Sequence, residues 1–418
     1  MQHFYFLFLG DYYETELTEE KDSNCQSREE LMSSSEPYPK NDKDLNMIIV
    51  DNNNEIEAMK TKTEDIIAHP SNYKGCDEEG SLIYDQGDVL NNRYKILGQL
   101  GKGAFGQVFK VMDMSENNKL VALKIVKNTE EFRKFARLEI NVLEKLAEKS
   151  EGNPHCIQLL RWFDYHGHIG MVFEMLGQSV FDFLKSNNFK PFPLKQIRDI
   201  ASQLIKAVNF LHENNLTHTD LKPENVLFVD SSSTTCHGNN KNQKSNKKVL
   251  FKTDIKVIDF GMAVFDHEKH QDLVSTRYYR APEVIMTLGW GQPCDVWSLG
   301  CMIFEMAFGK VLFQTLFDQE HLAMMERILG PIPQSMGKKC HNKQFFDSHG
   351  NFQWVDKNSP LDRYVRKHCQ PLYKYRCSSL ESKSGGLLLD LITKMLQYEP
   401  DKRITLKEAM KHNFFTDF

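Results

Sequence analysis

Residues 216–228 read LTHTDLKPENVLF, and with IDFGMA at residues 258–263 they decide the fold of this chain. The first run follows IRDIASQLIKAVNFLH (residues 197–212), whose apolar residues recur at helical spacing. A helix leading through a short polar loop into a β-type run presents several reactive side chains from one rigid frame. Asp220 is placed to accept a proton from an attacking hydroxyl and to orient it. Lys222 can neutralise charge on a transferring phosphoryl group, and Asn225 can hold a metal ion. Asp259 can bind the Mg²⁺ that bridges phosphates. Either run alone is suggestive; the two in this order, with an insertion between them, are specific.

Upstream, LGKGAFGQVF (residues 100–109) sets Gly101, Gly103 and Gly106 at GxGxxG spacing, which lets a backbone approach phosphates closely. The same spacing marks dinucleotide-binding folds, but there it opens a helix. Here it continues into the β-type runs QVFKVM and LVALKIV, so a glycine hairpin over a nucleotide fits better. Alternation in VALKIV puts Ala122, Lys124 and Val126 on one face. A lysine on the wet face of an edge strand is the bland reading. It loses ground to the following helix, EEFRKFARLEINVLEKLAE (residues 130–148), where Phe132, Ala136, Leu143 and Leu146 form one apolar stripe. Glu139 falls on that stripe, and a buried carboxylate is costly unless paired, which nominates Lys124 as its partner.

The supporting frame predicts two structural roles. Glu283 of APE pairs with Arg403 of PDKRIT, and Asp295 of CDVWSLG anchors the 216–228 loop from below. With these residues in view, residues 93–415 resemble the eukaryotic protein kinase superfamily. STRYYRAPEV (residues 275–284) is similar to the group of cyclin-dependent, MAP, glycogen-synthase and CDC-like kinases, the CMGC group. EHLAMMERILGP (residues 320–331) carries the whole LAMMER string that names the LAMMER, or CDC-like, dual-specificity kinases. As chemistry that string is an amphipathic packing helix, with Leu322, Met325 and Ile328 buried and Glu326 and Arg327 pointing elsewhere.

The resemblance implies an α+β, two-lobed fold: a small β-rich lobe at about 94–173, a hinge at 174–177 and a larger helical lobe at 178–415. An inserted loop at about 230–253 and a LAMMER-containing insert at about 310–380 belong to the larger lobe. It implies ATP as cofactor with Mg²⁺, Mn²⁺ being an alternative, and protein Ser/Thr acceptors with Tyr autophosphorylation. Nucleotide contacts carry over to Leu100, Gly101, Lys102, Gly103, Ala104, Phe105, Gly106, Val108, Ala122, Lys124, Phe173, Glu174, Leu176 and Leu227. Phe173 aligns with the gatekeeper, and backbone groups of Glu174 and Leu176 would bind adenine. Arginine/serine-rich splicing factors are the implied partners, in the nucleus, with the cytoplasm as an additional site. Glu224 and Asp182 can hold a substrate arginine, or be plain surface carboxylates. Arg280 resembles the arginine that favours proline after the target residue. Thr219 stands where many kinases have an arginine that pairs with an activation-loop phosphate, so activity without that phosphate is expected. Ser275, Thr276, Tyr278 and Tyr279 are candidate autophosphorylation sites.

Composition sets the outer bounds. Residues 1–86 hold 20 Asp+Glu and 7 Lys+Arg, a net −13, whereas the rest hold 37 and 45, a net +8. The segment through residue 83 reads as an acidic, disordered arm, too poor in apolar residues to offset its ordering entropy. It could attract basic Arg/Ser tracts or be an inert tail. The apolar run from Phe4 to Leu9 is far too short to span a bilayer and lacks a basic flank, so a secreted or membrane protein is not expected. Nine scattered cysteines with no paired spacing predict free thiols. The lysines of the insertion (Lys241, Lys244, Lys247, Lys248, Lys252) make a docking patch or a solvated loop; without interleaved aromatics they do not predict nucleic-acid binding. A monomer is expected. The competing readings are another kinase of the same group acting on unrelated sites, and a pseudokinase scaffold.

Overall fold

The computed structural model describes residues 73–149, 153–237, 246–354, 360–375 and 382–416. The apolar start, the acidic arm through residue 72, and Lys241 and Lys244 lie outside them. The expected α+β class with a β-rich and a helical lobe is found, as two compact units.

In the β-rich unit, β1 (Val89–Leu90), β2 (Tyr94–Lys102), β3 (Gly106–Asp113) and β4 (Lys119–Val126) form an antiparallel run. β5 (Leu159–Tyr165) and β6 (His168–Glu174) complete a six-stranded sheet in the order β1-β2-β3-β4-β6-β5. Alternation decides its buried face. Ile96 lies opposite Val111, Phe109 opposite Leu123, and Val111 opposite Val121, and all five are in the core. The expected boundary of the acidic arm is corrected here. Residues 73–83 are folded: Leu82 is a core residue, Cys76 pairs with Leu82, and Asp77 caps a tight turn by accepting from the Glu79 and Ser81 amides. Local composition hides this because one buried leucine, an Asx-type turn and a hydrogen bond from the Asn128 amide to the Gly80 carbonyl hold the segment.

Helix α1 (Glu130–Glu148) follows β4. The helical unit is built on α3 (Leu194–Glu213) and α5 (Pro293–Phe308), around which α2 (Val180–Ser186), α4 (Pro282–Ile285), α6 (Asp318–Leu329) and α7 (Lys383–Met395) are arranged. α5 is buried on nearly every side, so its sequence is apolar throughout rather than striped. Two short antiparallel pairs frame the loops of interest: β7 (Leu216–Thr217) with β12 (Val264–Phe265), and β8 (Val226–Phe228) with β11 (Ile255–Val257). The insertion joins neighbouring strands as expected, but it also forms its own hairpin, β9 (Ser233–His237) against β10 (Asn246–Leu250). Asn187 exchanges two hydrogen bonds with the Lys248 backbone, and Gln196 donates to the Leu250 carbonyl, so the hairpin is docked on α2 and α3. The seven described cysteines are free. Among the described residues, no helix is long and apolar enough to cross a membrane.

Candidate active site

The loop between β7 and β8 is held from beneath. Asp295, in the first turn of α5 and 1 % exposed, accepts from the amides of His218 (2.8 Å) and Thr219 (3.0 Å) and bonds His212 Nε2 (3.0 Å). The predicted anchor is therefore real. His218 adds a second brace: Nε2 meets the Ile258 carbonyl at 3.1 Å, while Nδ1 accepts the Asp220 amide at 3.3 Å, which fixes the tautomer with hydrogen on Nε2. Thr219 holds a left-handed conformation (φ 66°) unusual for a β-branched residue. Its hydroxyl donates to the Met262 carbonyl at 2.6 Å, tying the loop to the residue after Asp259-Phe260-Gly261. Asp259 is likewise left-handed (φ 63°).

On this frame Asp220, Lys222 and Asn225 converge. Lys222 Nζ donates to Asp220 Oδ2 at 2.8 Å, and Asn225 Nδ2 donates to the Asp220 carbonyl at 2.9 Å. Sequence reading missed what completes the group. The Thr276 hydroxyl donates to Asp220 Oδ1 at 2.7 Å, accepts from Lys222 Nζ at 3.1 Å, and its amide also donates to Oδ1. A hydroxyl thus sits with its proton on the carboxylate and its oxygen beside an ammonium. Thr276 is 56 residues from Asp220, and only tertiary structure reveals the pairing. As a candidate phosphorylation site Thr276 is buried here, as is Tyr279, so neither presents its hydroxyl to solvent.

Glu139 is buried on the face predicted for it, and its carboxylate lies 3.6 Å from where a Cβ on Gly261 would stand, with Asp259 Oδ1 at 3.5 Å from the same point. Lys124 belongs to the β-rich unit, opposite Val108 in β3 and on the face away from Val121, Leu123 and Ile125. Of the loop glycines, only Gly106 is required by packing, since a Cβ there would stand 2.1 Å from the Ile125 carbonyl oxygen. A Cβ on Gly101 or Gly103 meets no protein atom within 4 Å. Leu100 and Lys102 are exposed and Ala104 is half-buried, while Phe105 turns its ring edge to Phe132 and Phe135 of α1. Ala122 faces Lys110 across the β3–β4 ladder. Phe173 and Glu174 end β6; beyond Leu176, Gly177 donates to the Phe228 carbonyl, and Leu227 bridges to Ser179.

The substrate candidates separate. Glu224 carries an Oε2 that is buried and has no hydrogen-bond partner among the described residues. Burial pushes its carboxyl up, Lys222 opposes this, and the charges of Asp220 and Asp182 reinforce it. Asp182 is exposed and reciprocally bonded to Ser179 at the start of α2. A further carboxylate was missed: Glu305 of α5, 1 % exposed, accepts from Tyr279 Oη at 2.6 Å. Burial, with the charge of Glu224 adding to it, pushes Glu305 up to about 8. The available signal was a lone acid inside the apolar run CMIFEM. Arg280 donates to the carbonyls of Val274 (2.9 Å) and Ser275 (2.8 Å), holding Ser275 at φ 66°. The LAMMER helix packs through Leu322, Met325 and Ile328 as predicted, and Asp318 at its start pairs with Arg277 of the same segment.

The sequence matches the protein kinase domain family over residues 94–415, and the chain belongs to that family. It is 55 % identical over 346 residues to the serine/threonine-protein kinase Doa of Drosophila melanogaster, covering 81 % of this chain and 41 % of that one. It is 53 % identical over 340 residues to human dual specificity protein kinase CLK2, covering 81 % and 67 %. The crystal structure of a kinase domain, 34 % identical, superposes with a TM-score of 0.73 over 81 % of this chain and 100 % of that one. Within the kinases, then, this chain stands with the dual-specificity, CDC-like or LAMMER branch. It spans less than half of the fly protein and about two thirds of the human one. Family membership implies ATP and a divalent cation.

Proposed function

We propose that this chain transfers the γ-phosphoryl group of ATP to serine and threonine of arginine/serine-rich splicing factors, and to its own tyrosines. What supports the transfer is the hydroxyl arrangement around Asp220. A substrate hydroxyl in the place taken by Thr276 Oγ1 would give its proton to Asp220 as its oxygen bonds phosphorus and the bond to the ADP oxygen breaks. Lys222, bonded to both Asp220 and that hydroxyl, balances the charge that develops. Asn225 has its amide nitrogen committed to Asp220, leaving its oxygen, with the Asp259 carboxylate, for Mg²⁺. The cation supplies charge neutralisation on the phosphates. The expected pairing of Lys124 with Glu139 is kept as part of this proposal.

Arginine preference is supported by the buried, unpartnered Glu224 Oε2, which feels the charges of Asp220 and Asp182 and adds to that of Glu305. A guanidinium would satisfy that oxygen and relieve the like-charge crowding. Glu224→Ala is expected to raise KM for an Arg-Ser peptide by about tenfold, the low end for a hydrogen bond to a charged group, and to leave an arginine-free Ser-Pro peptide unaffected. The decisive assay gives both peptides with Mg-ATP to the unaltered chain, with Asp259→Asn as control. Equal rates on the two peptides sink the splicing-factor assignment, and an active control sinks the mechanism. Acceptance of proline after the target is supported by Arg280, which uses the two carbonyls that would otherwise receive a peptide N–H; proline has none to offer. Residence in the nucleus belongs to the same proposal and rests on family resemblance.

Thr219 bears on regulation. Its hydroxyl ties the catalytic loop to Met262 without any phosphate. Phosphatase treatment is therefore expected to change kcat by less than about twofold, since the arginine that would read an activation-loop phosphate is missing. Loss of turnover on dephosphorylation would show the opposite.

A further inference from the structure

The family match begins at Tyr94, yet the chain is already folded from Tyr73. We propose that residues 73–83 form a strap that positions the glycine-rich loop and the start of α1 for nucleotide use. Glu79 and Gly80 act in it as positioning residues through Lys127 and Asn128. The proposal rests on the kinase reading above.

Three contacts from the strap converge on the link between β4 and α1. The Asn128 amide donates to the Gly80 carbonyl at 2.7 Å. Lys127, only 5 % exposed, reaches Glu79 Oε2 at 3.0 Å. Gly80, at φ +81°, lies so close that a Cβ on it would stand 3.1 Å from Thr129 Cγ2. The same link holds the glycine-rich loop from its other side. The Lys127 amide donates to the Phe105 carbonyl at 3.0 Å, and the Phe105 ring packs edge-on against Phe132 (5.7 Å) and Phe135 (6.2 Å) in the first turns of α1. Lys127 Nζ also stands 5.7 Å from the centre of the Phe132 ring. Lys127 is thus a node: side chain to the strap, main chain to the loop tip, ammonium over the helix.

A glycine hairpin needs such bracing. The Gly103 amide closes the tip on itself at the Gly106 carbonyl (2.8 Å), and Phe105 carries the tip's contacts to the link and to α1. The strap can supply a fixed point because it is itself rigid. Asp77 closes its turn with two amide hydrogen bonds, Leu82 roots it in the core, and Tyr73 stacks on His166 at 4.3 Å between ring centres. A second, looser contact runs directly to the loop, Asp77 Oδ2 to Lys102 Nζ at 3.9 Å. The segment reads by composition as the end of an acidic arm, yet Asp77 faces the loop and Glu79 its supporting link.

The test uses the full chain with Glu79→Lys and, separately, Gly80→Val. Both are expected to raise KM for Mg-ATP about fivefold, to leave KM for the acceptor peptide unchanged, and to speed amide exchange at Lys127 and Asn128 about tenfold. The melting midpoint of Glu79→Lys should move by less than about 2 °C, because a surface carboxylate is replaced. An unchanged KM for ATP together with unchanged protection of those two amides overturns the proposal. So does a rise in both KM values alike, which marks general loosening. Should Gly80→Val fail to fold, Glu79→Lys carries the test alone. Should the unaltered chain transfer no phosphate, the kinase reading fails by itself. The exchange at Lys127 and Asn128 in Glu79→Lys then decides the strap: faster supports it, unchanged overturns it.

Discussion

Asp220→Asn is expected to lower kcat for peptide phosphorylation by about 10³-fold, within the range found for removing a positioned general base. The reason lies in how the carboxylate is shared. Oδ1 receives the hydroxyl and amide of Thr276, and Oδ2 receives the Lys222 ammonium. Asparagine keeps the shape and one accepting oxygen, so the loop stays in place on Asp295, which holds His218 and Thr219 independently. It cannot accept a proton, and it removes the negative charge that aligns Lys222. Activity should collapse while the melting midpoint moves by only about 2 °C, as for a substitution that leaves packing intact. KM for ATP should stay close to that of the unaltered chain. Turnover of Asp220→Asn within tenfold of the parent would remove Asp220 from the proton-accepting role. A large fall in midpoint would instead make it a structural residue.

That contrast bears on what could be seen before the fold. The convergence of Asp220, Lys222 and Asn225 was legible because they fall within one short run that the backbone presents together. Asp295, Glu283 and Arg403 were legible through the resemblance, because they stand in the short runs CDVWSLG, APE and PDKRIT that the kinase frame carries. Thr276 and Glu305 were not. Their roles depend on contacts between segments far apart in sequence, and each looks locally ordinary: a threonine in a polar turn, an acid in a helix. The β9–β10 hairpin was hidden differently. STTCH and NKKVL carry little hydrophobic alternation, and the pairing is fixed from outside by Asn187 and Gln196. The strap at 73–83 failed on composition, since its acidic residues look solvated until Lys127, the Asn128 amide and the core site of Leu82 are in view.

The second large effect is on stability. Glu283 and Arg403 form a bidentate pair at 2.8 and 2.9 Å, with side chains 2 % and 0 % exposed. Arg403 also donates to the carbonyls of Pro293, Gln397 and Tyr398, and its guanidinium lies 5.3 Å from the centre of the Trp297 ring. It therefore stitches the end of the activation segment to α5 and to the C-terminal part of the unit. Arg403→Met fills similar volume but strands the Glu283 carboxylate in the interior, which costs about 3–5 kcal/mol. For a domain of this size that corresponds to a fall of about 6–12 °C in melting midpoint at fixed scan rate. Glu283→Gln alone should cost less, because the amide oxygen still accepts from Arg403 and the cation keeps three carbonyl partners. The double variant Glu283→Gln/Arg403→Met should then be more stable than Arg403→Met alone, because the stranded charge is gone. What it fails to recover measures the carbonyl stitching rather than the ion pair. If Arg403→Met melted within about 2 °C of the parent, the pair would have to be reread as one whose desolvation cancels its attraction. If the double variant were no more stable than Arg403→Met, the loss would belong to the three carbonyls and the Trp297 contact, and Glu283 would be a bystander.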